Sequence, residues 1–132
     1  MTRVVAAMIE HHGRVLVAQR PTGRSRALQW ELPGGKVETG ESDSEALTRE
    51  CREELAVEIV VGHRVGSVTH AYADLTIELV LFHARLSDGA EPEPRDAHAL
   101  AWVVPQRLTE LDLCAADRAL VAAFNLERGL LR

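Results

Sequence analysis

The most constraining feature of this sequence is a capped amphipathic helix with an acidic side. Ser42 followed three residues later by Glu45 is a capping-box signature, so a helix is expected to begin directly after Ser42. Apolar residues recur along it at four-residue spacing: Leu47, Cys51 and Leu55. We therefore predict a helix over residues 43–55 with one buried stripe.

Three carboxylates lie beside that stripe. Glu50, Glu53 and Glu54 stand at positions i, i+3 and i+4, so their side chains project from one face of the helix. Like charges at this spacing destabilise a helix by about 0.2–0.5 kcal/mol per pair. A hard cation offsets the repulsion, because Mg²⁺ prefers oxygen ligands. For the triplet taken alone, the alternative is a solvated acidic face, since glutamate is mostly exposed.

The rest of the chain reads as short strands with one further helix. Apolar and β-branched runs predict strands over residues 3–9, 14–19, 30–32, 58–61, 64–69, 75–86 and 99–104. A second amphipathic helix is predicted over residues 115–126. Residues 10–13 indicate a hairpin turn, Pro33-Gly34-Gly35 a sharp turn, and residues 21–28 and 87–95 loops. Strands and helices do not alternate strictly, so the pattern favours a mixed α/β (α+β) fold, a mixed sheet covered by helices, in one domain over residues 1–132.

Composition narrows the classes of partner. The formal net charge of −5 argues against binding polymeric nucleic acid, which usually requires a basic surface. An acidic protein can still hold a phosphorylated small molecule if a divalent cation lies between its carboxylates and the phosphates. The apolar run at residues 4–9 is too short to cross a membrane, and the two cysteines form no ligand motif. We expect a cytoplasmic protein with no membrane partner; the pattern carries no signal for an oligomeric state.

Six residues at fixed spacing resemble the signature of a known family. Gly35, Glu41, Arg49-Glu50 and Glu53-Glu54 reproduce the box of the Nudix hydrolases. At ordinary residue frequencies, such a match arises by chance at well under about one start position in a million. Ala56 departs from the pattern, because the family carries glycine there. If that glycine is a left-handed helix cap, alanine costs about 1 kcal/mol and touches no chemistry.

The resemblance extends beyond the box to the MutT-type triphosphate pyrophosphohydrolases. Residues 17–21 and 30–38 are similar to the lead-in of that subgroup. Asp96 stands where the subgroup carries an acidic residue that reaches the metal site, and Asp117 stands where a side chain reads the base. The resemblance implies the Nudix fold, a mixed β-sheet sandwiched between helices.

The resemblance and the chemistry of phosphoanhydride hydrolysis together suggest roles. Metal coordination falls to four groups: the Gly34 carbonyl, Glu50, Glu53 and Glu54. Arg49 is assigned to orienting the carboxylates and Asp96 to the catalytic centre, since a guanidinium can hold a carboxylate bidentately. Substrate contacts are expected from Arg20, Gly35, Lys36 and Asp117. The implied cofactor is Mg²⁺, for which Mn²⁺ can substitute.

The predicted activity is hydrolysis of a nucleoside triphosphate to the monophosphate and pyrophosphate. Oxidised purine nucleotides such as 8-oxo-dGTP are the leading substrate class, and CTP or dCTP is the alternative. An ionised Asp117 only accepts hydrogen bonds, whereas a protonated one also donates to a purine carbonyl. Two rivals are a hydrolase of other nucleoside diphosphate derivatives and a non-catalytic nucleotide sensor. The sensor is disfavoured because every box carboxylate is present.

Overall fold

The computed structural model describes residues 1–129. The strands are β1 (Thr2–His11), β2 (Arg14–Gln19), β3 (Trp30–Glu31), β4 (Gly34–Lys36), β5 (Ile59–Ala71), β6 (Thr76–Leu86) and β7 (Ala99–Val103). The α-helices are α1 (Asp43–Leu55) and α2 (Ala115–Phe124). Two 3₁₀ helices cover Pro105–Glu110 and Leu126–Arg128. Among these helices, none combines the length and the apolar character that crossing a bilayer demands.

Strand β1 organises the sheet because it pairs with three other strands. It runs parallel to β6 from Thr2 to Ile9 and antiparallel to the short strand β4. At its carboxyl end it turns into β2, with His11 opposite Arg14. Strand β5 continues the sheet beyond β6, and β3 and β7 both pair with β2. Parallel and antiparallel pairs are thus mixed, which confirms the predicted sheet type.

The two faces of β1 pack in two different hydrophobic clusters. Because side chains alternate along a strand, Val5, Ala7 and Ile9 pack on the side of α1. Ala6 and Met8 pack on the opposite side, against α2. The stripe predicted for α1 is buried as expected, at Leu47, Cys51 and Leu55. The sheet therefore lies between helices, as predicted.

Several predicted boundaries hold within a residue or two. Helix α1 has the predicted bounds, and its capping box is formed: Ser42 Oγ accepts from the Glu45 N–H at 3.1 Å, and the Glu45 carboxylate accepts from the Ser42 N–H at 2.9 Å. Strand β2 also has the predicted bounds. The turn between β1 and β2 narrows to His12 and Gly13, both with positive φ.

Other predictions are wrong in detail. The sharp turn expected at Pro33-Gly34-Gly35 is wrong, because Gly34–Lys36 is a strand paired with β1. The two strands expected over residues 58–61 and 64–69 are one strand, β5, with irregular register near Gly62 and Val65. The last helix ends at Phe124 rather than at residue 126, because Asn125 adopts a left-handed cap. The 3₁₀ helix Pro105–Glu110 was not predicted.

The end of α1 yields a test of stability. Ala56 caps the helix with φ 56° and ψ 35°, and its N–H donates to the Arg52 carbonyl at 3.1 Å. The left-handed conformation costs an L-residue roughly 1–2 kcal/mol, whereas glycine adopts it freely. We expect Ala56→Gly to raise the free energy of unfolding by about 1 kcal/mol in urea denaturation. Ala122→Gly, an exposed position within α2, should lower it by a similar amount. A loss of stability in Ala56→Gly would contradict this account of the cap.

Candidate active site

The glycine strand β4 allows α1 to approach the sheet. A Cβ on Gly34 would overlap the Val5 carbonyl of β1, and a Cβ on Gly35 would overlap the carboxylate of Glu50. Both positions therefore require glycine for close approach rather than for a turn. As a result, the Glu50 carboxylate lies directly against the backbone of Gly35.

Arg49 connects the carboxylates around this contact. Its Nε and Nη2 bind the two Glu41 oxygens at 2.7 and 3.0 Å, a bidentate pair. Its Nη1 donates to Glu50 at 2.9 Å and to Glu53 at 3.2 Å. Its Nη2 also donates to the Lys36 carbonyl at 3.0 Å. The bound guanidinium lowers the pKa of Glu41 and holds α1, its preceding loop and β4 together.

Glu54 carries a perturbed carboxyl next to Glu50. Burial raises the pKa of Glu54 to about 9, and the charges of Glu50 and Glu31 add to the shift. Two carboxylates this close resist being ionised together unless positive charge separates them. Their oxygens are the ligands that hard divalent cations prefer, so the pair fits a metal ion.

A cleft of about 560 Å³ passes over these residues. It is lined by eight of the predicted site residues: Arg20, Gly34, Gly35, Lys36, Glu50, Glu54, Asp96 and Asp117. Glu53 is not among the lining residues; its side chain is 60 % exposed, and its carboxylate is bound by Arg49. The structure thus brings Glu50 and Glu54 to the cleft and leaves Glu53 outside its rim.

Asp96 lies at the mouth of the cleft in an exposed ion pair. Its two oxygens accept from Nη1 and Nη2 of Arg24 at 3.0 and 3.1 Å. This pair links the loop after β2 to the loop before β7. The charge of Asp96 also contributes to the raised pKa of Glu54, which places both acids in one electrostatic neighbourhood.

The cleft also contains a second acidic pair, Asp117 and Glu31. Asp117, in the first turn of α2, is only 5 % exposed, and its Oδ2 accepts from the Leu32 N–H at 2.9 Å. Burial raises its pKa to about 8, and the neighbouring charge of Glu31 adds to the shift. Burial also raises the pKa of Glu31, although Arg20, whose Nη1 lies 3.3 Å from Glu31 Oε1, opposes it. Burial and the charge of Glu31 therefore favour the protonated form of Asp117.

Glu31 and Cys114 were missed by the sequence analysis. Their ligand atoms lie within 4.8 Å of one another and of Asp117, a grouping compatible with a metal ion. However, burial raises the pKa of Cys114 to about 12 and also raises the pKa of Asp117, so both groups favour their protonated forms. A hard cation requires ionised oxygens. Glu50 and Glu54 on α1 therefore fit such an ion better than this group does. The only feature of the sequence that could have indicated Glu31 is its position between the apolar residues Trp30 and Leu32.

Comparisons with known proteins agree with this arrangement. The family described as the NUDIX domain matches residues 4–123. The chain is 40 % identical over 129 residues to the CTP pyrophosphohydrolase of Escherichia coli (strain K12), covering 98 % of this chain and 95 % of that one. It is 42 % identical over 122 residues to the putative 8-oxo-dGTP diphosphatase 2 of Mycobacterium tuberculosis (strain H37Rv), covering 90 % and 84 %.

Solved structures share the fold over nearly the whole chain. The solution structure of the E. coli ORF135 protein superposes with a TM-score of 0.83 at 39 % identity, covering 98 % of this chain and 91 % of that one. The crystal structure of the MutT protein from Methanosarcina mazei Go1 gives a TM-score of 0.84 at 26 % identity, covering 98 % and 96 %. The chain belongs to the Nudix family and is a Nudix hydrolase. Nudix hydrolases generally use divalent metal ions and act on small nucleotide substrates.

The buried Asp117 makes stability depend on pH. Its pKa in the folded protein is about 8, against 3.8 ordinarily, so the folded state binds more protons between these values. Stability from this group is therefore present at low pH and is lost as pH rises towards 8. We expect the free energy of unfolding of Asp117→Asn to fall less steeply than that of the native protein between pH 5 and 8.5. Asp88→Asn, an exposed control, should keep the native slope; equal slopes for all three proteins would refute the assignment.

Proposed function

We propose that this protein hydrolyses a nucleoside triphosphate to the monophosphate and pyrophosphate with Mg²⁺ as cofactor. The observation that carries the proposal is the layout of one cleft. Helix α1 contributes the crowded carboxylates Glu50 and Glu54 to its lining, and helix α2 contributes the buried Asp117, whose protonated form is favoured. The carboxylates on α1 suit a metal-bound polyphosphate, and Asp117 suits a base.

The metal ligands proposed are Glu50, Glu54 and the Gly34 carbonyl. Glu53, on the same face of α1, is proposed to join them on metal binding by leaving its pair with Arg49. Mg²⁺ bound there would neutralise phosphate charge and acidify a coordinated water, and Mn²⁺ would substitute for it. Asp96 lines the same cleft, its charge contributes to the raised pKa of Glu54, and it is proposed to belong to the catalytic centre. Because the chain has all of these carboxylates, catalysis is favoured over nucleotide binding without hydrolysis.

Residues around the metal ligands have positioning and binding roles in this proposal. Arg49 keeps the Glu50 carboxylate oriented through a 2.9 Å bond while its bidentate pair with Glu41 fixes the guanidinium. Lys36 and Arg20 line the cleft and offer cations to phosphate oxygens. Gly35 lines the same cleft and is proposed to contact the substrate through its backbone. These residues bind and orient the substrate so that water attacks one phosphorus.

The base is proposed to pair with Asp117. A protonated carboxyl donates one hydrogen bond and accepts another, so it suits a base edge with an acceptor next to a donor. In 8-oxoguanine, O6 is next to an N7–H, whereas unmodified guanine offers two acceptors at O6 and N7. We propose that Asp117 pairs with this N7 edge rather than with the Watson–Crick edge, where O6 lies beside N1–H in both bases, and so favours 8-oxo-dGTP over dGTP. Cytosine N3 and its amino group have the required pattern too, and the E. coli relative named for CTP supports CTP or dCTP as the second candidate.

The substrate and the bond cleaved can be tested together. Purified protein with Mg²⁺ is offered 8-oxo-dGTP, dGTP, dCTP and CTP in ¹⁸O-labelled water. We expect kcat/KM on 8-oxo-dGTP to exceed that on dGTP by at least about 100-fold, because a buried partner left unpaired penalises the wrong base. We expect the label in pyrophosphate, as attack at the β-phosphorus requires.

Each other result has a definite meaning. Label in the monophosphate shows attack at the α-phosphorus, and orthophosphate as the primary product excludes pyrophosphohydrolysis. A kcat/KM highest on CTP or dCTP selects the second candidate. Equal rates on dGTP and 8-oxo-dGTP refute the reading of the base by Asp117.

The metal assignment predicts the effect of Glu54→Gln, which keeps shape but removes a ligand charge. Metal catalysis supplies several kcal/mol, so we expect kcat to fall by about 100-fold or more at saturating Mg²⁺. Thermal unfolding provides a second readout, since a ligand that binds only the folded state raises Tm. Millimolar Mg²⁺ should raise the native Tm and leave that of Glu54→Gln nearly unchanged.

Glu110→Gln is the matched control for this substitution. Glu110 is exposed and pairs with Arg107 on the 3₁₀ helix outside the cleft. It should retain native turnover and the native Mg²⁺ effect on Tm. Near-native turnover by Glu54→Gln would remove that residue from the ligand set.

A further inference from the structure

Tyr72 supplies a hydrogen bond that the first turn of α2 lacks. The N-cap residue of this helix, Cys114, makes no side-chain capping bond. The Ala116 N–H, one of the helix-start groups that has no partner within a helix, donates instead to the Tyr72 hydroxyl oxygen at 2.8 Å. A residue 44 positions away thus caps α2 at its amino end.

This bond lies one residue from the proposed reader of the base. Asp117 follows Ala116 directly, and its carboxyl accepts from the Leu32 N–H at 2.9 Å. The backbone of this turn is therefore held by Tyr72, and the carboxyl itself by Leu32. The two contacts together fix where the carboxyl points within the cleft.

Tyr72 is itself held from the cleft side by Arg26. The Arg26 guanidinium carbon lies 4.1 Å from the centre of the Tyr72 ring, and Arg26 Nη1 donates to Asp74 at 2.9 Å. Although the loop that carries Arg26 lies on the surface, its side chain is only 19 % exposed. Such a cation–π contact stabilises the orientation of both side chains. The ring edge of Tyr72 also contacts His70.

The surroundings of Tyr72 indicate a positioning role rather than direct stacking on a base. Arg26 covers one face of the ring, and the hydroxyl is engaged by α2. We propose that Tyr72, held by Arg26, is a positioning residue for Asp117 and so determines which base the enzyme prefers. The inference rests on the proposed function, because it assumes that Asp117 pairs with the base.

Tyr72→Phe tests the proposal, since it removes the hydroxyl and keeps the ring. The Ala116 N–H loses its acceptor, and the first turn of α2 is free to shift. We expect KM for the preferred triphosphate to rise about five- to tenfold, the size expected for one lost hydrogen bond. The preference over dGTP should shrink by the same factor. Because the carboxylates on α1 are untouched, kcat should stay within about twofold.

Arg26→Gln should move the same quantities in the same direction, because it removes the planar cation over the ring. Arg26→Lys should restore part of the preference, since an ammonium keeps the charge next to Asp74 and the ring. Arg107→Gln, on the 3₁₀ helix, is the matched control and should leave both KM and the preference native. All assays are run well below the measured Tm of each variant, so that unfolding does not contribute.

Asp117→Asn in the same assay separates this inference from the proposed function. If Asp117→Asn changes the ranking of bases and Tyr72→Phe does not, Tyr72 has no positioning role and the reading of the base by Asp117 stands. If Tyr72→Phe lowers kcat/KM by one common factor on every substrate, its role is general stability and the inference is overturned. If Asp117→Asn leaves the ranking native, the reading of the base fails, and the inference fails with it.

Discussion

The site depends on holding negative charge where water is partly excluded. Glu50 and Glu54 lie one turn apart on α1, with Glu50 against the backbone of Gly35, and burial raises the pKa of Glu54 to about 9. Arg49 provides the compensating cation from within the helix, and Glu41 holds that cation bidentately. Because an uncompensated buried charge is costly, the glycine strand, the arginine and the carboxylates are interdependent. The same crowding makes the pair receptive to a divalent ion.

Strand β1 places the two helices that line the cleft relative to each other. One of its faces packs on α1, which carries the carboxylates, and the other packs on the cluster that contains α2, which carries Asp117. The cleft can therefore hold phosphates near one helix and a base near the other. Links across the surface loops, such as Arg24 to Asp96 and Arg26 to Asp74, connect the walls of the cleft without belonging to the sheet.

Local patterns predicted the parts of the fold that depend on neighbours in sequence. The capping box and the four-residue apolar spacing placed α1 correctly, because both act within one or two turns of helix. The glycine pair was assigned to a turn, since nothing local reveals that Gly34 and Gly35 pair with β1. Likewise, the sequence of β5 predicts two strands, because the apolar pattern is interrupted where the register is irregular. Pairing with β6 on both sides of that irregularity makes it one strand.

The sequence by itself determined the family, the carboxylate-bearing face of α1 and the identity of Arg49 as partner to those carboxylates, because these rest on spacings within a short segment. Only the tertiary structure decided that Glu54 and not Glu53 enters the cleft, that Glu31 neighbours Asp117, and that Tyr72 caps α2. These features depend on residues that are tens of positions apart in sequence. Their burial and their distances in the folded chain set the pKa values and the hydrogen bonds. No local pattern records a desolvation cost, since it exists only once the chain has folded around the group.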